Sequence, residues 1–176
     1  MDRDGVINHK VKNKRYVEKW SDFKFIDENV DALETLSKKG FKFIVITNQA
    51  CISLNIISKK TLSYIHNKMK LELMKKRIEI LDVFYSPDHF NDTFSKTRKP
   101  APGLFFMASY LYKINLGDCI FIGDDPRDCL AAANAGSNSI FLGKKKLLTT
   151  LNKDQYPLKV CKNIKNSIQF IIQFYK

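Results

Sequence analysis

The chain has 176 residues, 44% of them hydrophobic and 27% charged, and its 30 Lys and Arg against 18 Asp and Glu give a formal net charge of +12. These proportions exclude a disordered or fibrous chain, and the length suits one domain over residues 1–176 that buries about two-thirds of its unfolded surface. The longest apolar stretches, such as Phe43 to Ile46 and Phe170 to Ile172, fall far short of the roughly 20 residues that cross a bilayer, so no membrane partner is expected.

The first residues after Met1 are charged Asp2, Arg3 and Asp4, where a secretory signal would be apolar. A cytoplasmic protein with reduced thiols is therefore expected. Cys51, Cys119, Cys129 and Cys161 lack paired metal-site spacing, and Cys119 and Cys129 fall in segments that read as buried. The cationic runs at 10–15, 75–77 and 144–146 are scattered and read as solvated faces and loops. They disfavour nucleic acid as the partner and favour a small anionic substrate, whose approach a positive field would speed.

Helical and strand patterns alternate along the chain, which predicts an α/β fold with a central parallel sheet. Asn29 to Lys39 carries Val30, Leu33 and Leu36 at helical spacing and stops at Gly40. Phe41 to Ile46 reads as a buried strand. Ser58 is the expected N-cap of a helix reaching Lys76, with Leu62, Ile65, Met69, Leu73 and Met74 as its inward stripe. Ile80 to Tyr85 is the next strand, followed by a polar loop. Pro102 fits the first turn of a helix to Tyr112. Strands at Cys119 to Ile122 and Ser139 to Leu142 flank a small-residue helix, Asp128 to Ala135, and a closing helix is expected from Ile164 to Tyr175.

This order places Asp2, Thr47, Ser86 and Asp124 at or just past strand ends, where parallel sheets bind their ligands, so the four are expected around one crevice. Asp2-Arg3-Asp4-Gly5-Val6-Ile7-Asn8 holds two carboxylates at i and i+2, a pair that can share a cation, attack phosphorus with one oxygen and protonate a leaving group with the other. Thr47-Asn48 offers a hydroxyl and backbone N–H groups to phosphoryl oxygens. Lys99, between Arg98 and Pro100, is a cation set in a stiff turn. Ile122-Gly123-Asp124-Asp125-Pro126-Arg127-Asp128 crowds acidic oxygens that a hard cation such as magnesium would hold. Each segment alone also fits an ordinary turn or cap.

Together the wording DRDGVIN, VITNQ, RKPAPG and IGDDPRD resembles the four motifs of the haloacid dehalogenase superfamily, from Asp2 to Gly143. It is similar to the subgroup of heptose 1,7-bisphosphate and histidinol-phosphate phosphatases. The resemblance implies a Rossmann-like three-layer α/β/α fold with no large cap domain. It implies Asp2 as nucleophile, Asp4 as general acid and then base, and Thr47 and Lys99 as phosphoryl stabilisers. Asn48, Gln49 and Arg98 become substrate contacts. Magnesium would be held by Asp2, the backbone carbonyl of Asp4 and Asp124, with Asp125 or Asp128 in support.

The implied activity is hydrolysis of a small phosphorylated metabolite through an aspartyl-phosphate, with a sugar phosphate such as heptose 1,7-bisphosphate leading. Histidinol phosphate, a nucleic-acid 3′-phosphate and a catalytically inactive interaction protein are the alternatives. Relatives place an apolar strand ahead of the nucleophile, whereas Met1 alone precedes Asp2 here, so the first strand is expected to be largely missing, its neighbours unpaired and Asp2 on a mobile end. Many members of the subgroup also carry a zinc loop of three Cys and one His. The matching positions here are Ser86, Asp88, Ser95 and Thr97, so no structural zinc is expected.

Overall fold

A computed structural model describes residues 1–12 and 14–176; Asn13, within the basic run 10–15, lies outside the described residues. Among the described residues, five strands and five α-helices follow one another as α1 (Asp27–Ser37), β1 (Phe43–Asn48), α2 (Lys59–Lys75), β2 (Ile80–Ser86), α3 (Gly103–Tyr112), β3 (Ile120–Gly123), α4 (Pro126–Asn134), β4 (Asn138–Leu142), β5 (Lys159–Cys161) and α5 (Ile168–Phe174). All pairings between strands are parallel, in two sheets, β1-β2 and β3-β4-β5.

The two sheets are joined by the first two residues. The Met1 ammonium donates to Ile44 O at 2.8 Å, Ile46 N donates to Met1 O at 2.9 Å, and Asp2 N donates to Ile122 O at 2.8 Å. Met1 and Asp2 thus occupy the last two positions of a strand between β1 and β3, and the layer order becomes β2, β1, residues 1–2, β3, β4, β5. The expectation of a mobile terminus is corrected: Met1 is buried and tied down on both sides. Below Met1, an apolar cavity of about 470 Å³ lies between the first halves of β1 and β3, lined by Phe43, Ile44, Phe105, Phe121 and Tyr175 among others.

Side chains alternate across the sheet as the pleat requires. Val45, Ile122 and Ile140 pack with Leu33 and Leu36 of α1, Ile65 and Met69 of α2 and Ile171 of α5. Ile46, Phe84 and Phe121 pack on the opposite face with Leu104 and Phe105 of α3 and Ala131 and Ala132 of α4. The result is the three-layer α/β/α arrangement. Helix α2 starts as expected, with Ser58 Oγ accepting from Thr61 N at 3.0 Å, but Met74 is 54% exposed. The stripe ends at Leu73, and one further residue turns about 100° away from the core.

Candidate active site

The first turn is built on the Arg3 carbonyl, which accepts from Val6, Ile7 and Asn8 N. Gly5 sits at φ +87°, and a Cβ there would collide with the Asp124 carboxylate. Only glycine satisfies both the left-handed backbone and the close approach of this turn to the β3–α4 loop. Arg3, which reads as a surface residue, is fully buried. Its guanidinium grips both Asp4 oxygens, at 2.8 Å for Oδ2, and donates to His66 Nε2 at 2.8 Å. Burial, reinforced by Arg3, lowers His66 to about 3, so the imidazole is neutral and accepts.

Asp4 also receives Asn8 Nδ2 at 2.8 Å and Gln49 Nε2 at 2.9 Å. Burial opposes its charge, but Arg3 and these donors outweigh it and hold the carboxyl below its ordinary range. Gln49 Nε2 also reaches Thr47 Oγ1 at 3.1 Å. Gln49 is fully buried, so its amide ties the first turn to the end of β1.

Lys99 is brought in by Asn48, whose amide clamps the Lys99 backbone through Nδ2 to Lys99 O at 3.0 Å and Lys99 N to Oδ1 at 2.9 Å. The buried Lys99 ammonium then donates to Ile46 O at 2.9 Å, Asp2 Oδ1 at 3.0 Å and Asp128 Oδ1 at 2.7 Å. Burial alone would lower this lysine; Asp128 and Asp2 reverse the effect and hold it above the usual value. Asp2 Oδ1 accepts Arg3 N as well, at 2.7 Å.

Asp2, Asp124 and Asp128 each present an oxygen within 4.8 Å of the others. Burial raises Asp128, with Lys99 opposing, and pushes Asp124 up to about 6 despite the Lys10 ammonium on its Oδ2 at 2.5 Å. Asp124 Oδ1 is buried without a partner among the described residues. An orphaned carboxylate oxygen beside two further carboxylates is a donor set that fits a hard divalent cation. Asp125 stands apart from this group. Its carboxylate caps α4 and takes Arg127 Nε and Nη2 at 2.9 and 2.7 Å, and although burial opposes it, Arg127 draws it down to about 2.

Asp2, Thr47, Lys99 and Asp124, predicted from scattered motifs, are therefore linked through one network, and of the two supporting acids it is Asp128 that joins it. Asn48 and Gln49 spend their amides on Lys99, Asp4 and Thr47. Ser86 sits beside Asn48 at the end of β2 and its carbonyl accepts from Gln49 N at 2.7 Å, but its hydroxyl is turned to Asp88. Arg98, partly buried beside Arg127 and Arg15, donates to Asp88 O at 3.3 Å. Sequence reasoning missed Lys10, Arg3 and His66. His66 alone left a signal, as a polar residue on the buried side of α2 beside Leu62, Ile65 and Met69.

The family model described as Polynucleotide kinase 3 phosphatase matches residues 1–155. A D-glycero-alpha-D-manno-heptose-1,7-bisphosphate 7-phosphatase of Photorhabdus laumondii is 34% identical over 151 residues, 82% of this chain and 80% of the relative. A D-glycero-beta-D-manno-heptose-1,7-bisphosphate 7-phosphatase of Helicobacter pylori is 31% identical over 97% of this chain and 94% of its own length. The crystal structure of D,D-heptose 1,7-bisphosphate phosphatase from B. bronchiseptica, complexed with magnesium and phosphate, superposes with a TM-score of 0.86 at 25% identity, covering 98% of this chain and 96% of that one. With the four motifs gathered on one parallel sheet, the chain belongs to the haloacid dehalogenase superfamily of phosphatases, in the subgroup of the heptose 1,7-bisphosphate phosphatases.

Proposed function

We propose that this phosphatase hydrolyses a small phosphorylated sugar, with heptose 1,7-bisphosphate the leading candidate, through a phosphoryl group carried on Asp2. The observation that supports it most is the Lys99 ammonium bound at once to Asp2 and Asp128 beside the unpartnered Asp124 oxygen. Asp2, Asp124 and Asp128 would hold magnesium, which when bound neutralises charge on the phosphoryl oxygens. The substrate reading rests on the relatives, whose names specify heptose 1,7-bisphosphate.

The residues of the chain divide the remaining work. Lys99 fixes the Asp2 carboxylate and presents a positive charge to a phosphoryl group arriving next to it, with Thr47 supplying a hydroxyl. Asp2 oxygen bonds to phosphorus as the ester oxygen leaves. In the second half, water attacks phosphorus, the Asp2–phosphorus bond breaks and phosphate departs. Asp4, held ionised by Arg3, Asn8 and Gln49, stands ready as the base for that water. Its acid role in the first half requires a proton taken up with the substrate, such as that of a phosphate monoanion. Arg98 is left as the substrate contact at the rim.

Phosphate release with magnesium from a panel of sugar phosphates, histidinol phosphate and a DNA 3′-phosphate tests the reading. Turnover of a sugar phosphate that is lost in Asp2→Asn supports it. Preference for the DNA end, or turnover unaffected by Asp2→Asn, would overturn it.

A further inference from the structure

The loop between β2 and Lys99 has an anchor of its own. Asp88 Oδ2 accepts three hydroxyls, Ser95 Oγ at 2.5 Å, Thr97 Oγ1 at 2.6 Å and Ser86 Oγ at 3.1 Å. The hydroxyl oxygens accept in turn. Ser86 Oγ takes Asp88 N at 3.3 Å, and Ser95 Oγ takes Thr97 N at 3.3 Å and Arg98 N at 2.9 Å. Three hydroxyls converge on the one carboxylate oxygen, and the Thr97 hydroxyl also reaches Ser86 Oγ at 3.0 Å, so its proton is shared between two acceptors inside the cluster. The Arg98 guanidinium closes the ring on Asp88 O. The cluster begins at a fully buried strand residue, Ser86, and ends one residue before Lys99.

We infer that Asp88 is a positioning residue: its carboxylate folds residues 87–98 onto the end of β2 and thereby sets Arg98, the residue just ahead of Lys99. A charged acceptor suits this task, because hydrogen bonds to an ionised group are about twice as strong as neutral ones. The donors from Ser95 and Thr97 keep the carboxyl ionised, below its usual range. Asp88 touches none of Asp2, Asp4, Asp124 or Asp128, and Asn48 clamps the Lys99 backbone independently. Removing Asp88 therefore loosens Arg98 before it disturbs the chemistry.

The effect on catalysis rests on the phosphatase reading, whereas the effect on the loop does not. In Asp88→Ala, amide hydrogen exchange across 87–98 should rise about tenfold while the β3 amides exchange as before, as expected for losing bonds to a charged acceptor. KM for the sugar phosphate should rise about tenfold with kcat within about threefold, the split that marks lost substrate binding. Asp88→Asn, which keeps shape and one acceptor oxygen, should fall between, and Ser95→Ala should add little on top of Asp88→Ala. An active wild-type chain whose loop exchange ignores Asp88, or in which kcat falls and KM does not move, would overturn the inference. A wild-type chain that releases no phosphate would instead sink the functional reading and leave the exchange result to judge the anchor.

Discussion

The space between β1 and β3 is filled in opposite ways above and below Met1. Above it, Lys99 holds Asp2 and Asp128, Asp2, Asp124 and Asp128 present oxygens within 4.8 Å of one another, and Arg3, Asn8 and Gln49 brace the adjoining Asp4. Below it, two strand edges face each other across an apolar cavity, and the Met1 amine is buried at its inner end with Ile44 O as its hydrogen-bond acceptor. Burial, with Lys99 nearby, lowers that amine to about 5. Residues 1–2 thus organise the polar end, while an apolar cavity and a desolvated amine lie at the other.

The sharpest way to break this contrast is at the polar end. Lys99→Met removes the cation between Asp2 and Asp128 and leaves two buried carboxylates facing each other. Turnover should fall at least about a thousandfold and stability by about 3–5 kcal/mol, read from phosphate release and urea unfolding. Retained turnover would show that the buried pair is not what organises the site.

The second test probes the amine. Its folded value of about 5 lies below the ordinary 8.0, so between these pH values the unfolded chain binds a proton that the folded chain lacks. Stability contributed here is complete above pH 8 and is lost as the pH falls toward 5, by up to about 4 kcal/mol. His66, lowered from 6.5 to about 3, acts with the same sign over a lower window. Urea midpoints at pH 8 and pH 5 should therefore differ less after acetylation of Met1, and an equal difference would contradict the burial of the amine.

A third, smaller effect sharpens the other side of the contrast. Extending the chain ahead of Met1 by four apolar residues converts the amine to an amide and gives both strand edges a partner. Stability should rise by about 2–3 kcal/mol, with magnesium affinity unchanged. A rise in stability of that size, seen by thermal unfolding, would confirm that the two ends are energetically separate.

Much of this arrangement was legible in the sequence because strands and phosphate-binding turns carry local signals. The runs around Val45, Phe84, Ile122 and Ile140 gave the strands, and Ser58, Gly40 and Pro102 marked helix ends. β5 was missed because Lys159-Val160-Cys161 is too short to show alternation. The closing helix is split, since the Asn163 side chain caps a 3₁₀ turn at Ile164–Ser167 before α5 begins. What stayed hidden are pairings across the chain. Nothing local says that Arg3 is buried against His66, that Lys10 reaches Asp124, or that Asp125 turns to Arg127 while Asp128 turns to Lys99. Such choices are made by packing, which also converted Ser86 from an expected site residue into part of the Asp88 anchor.

Magnesium titration by calorimetry, on the wild-type chain and on Asp124→Asn, puts the shared carboxylate site to the most direct test. The account predicts binding to the wild type that weakens at least about tenfold in the variant, with circular dichroism unchanged. Equal affinity in two equally folded proteins would contradict it.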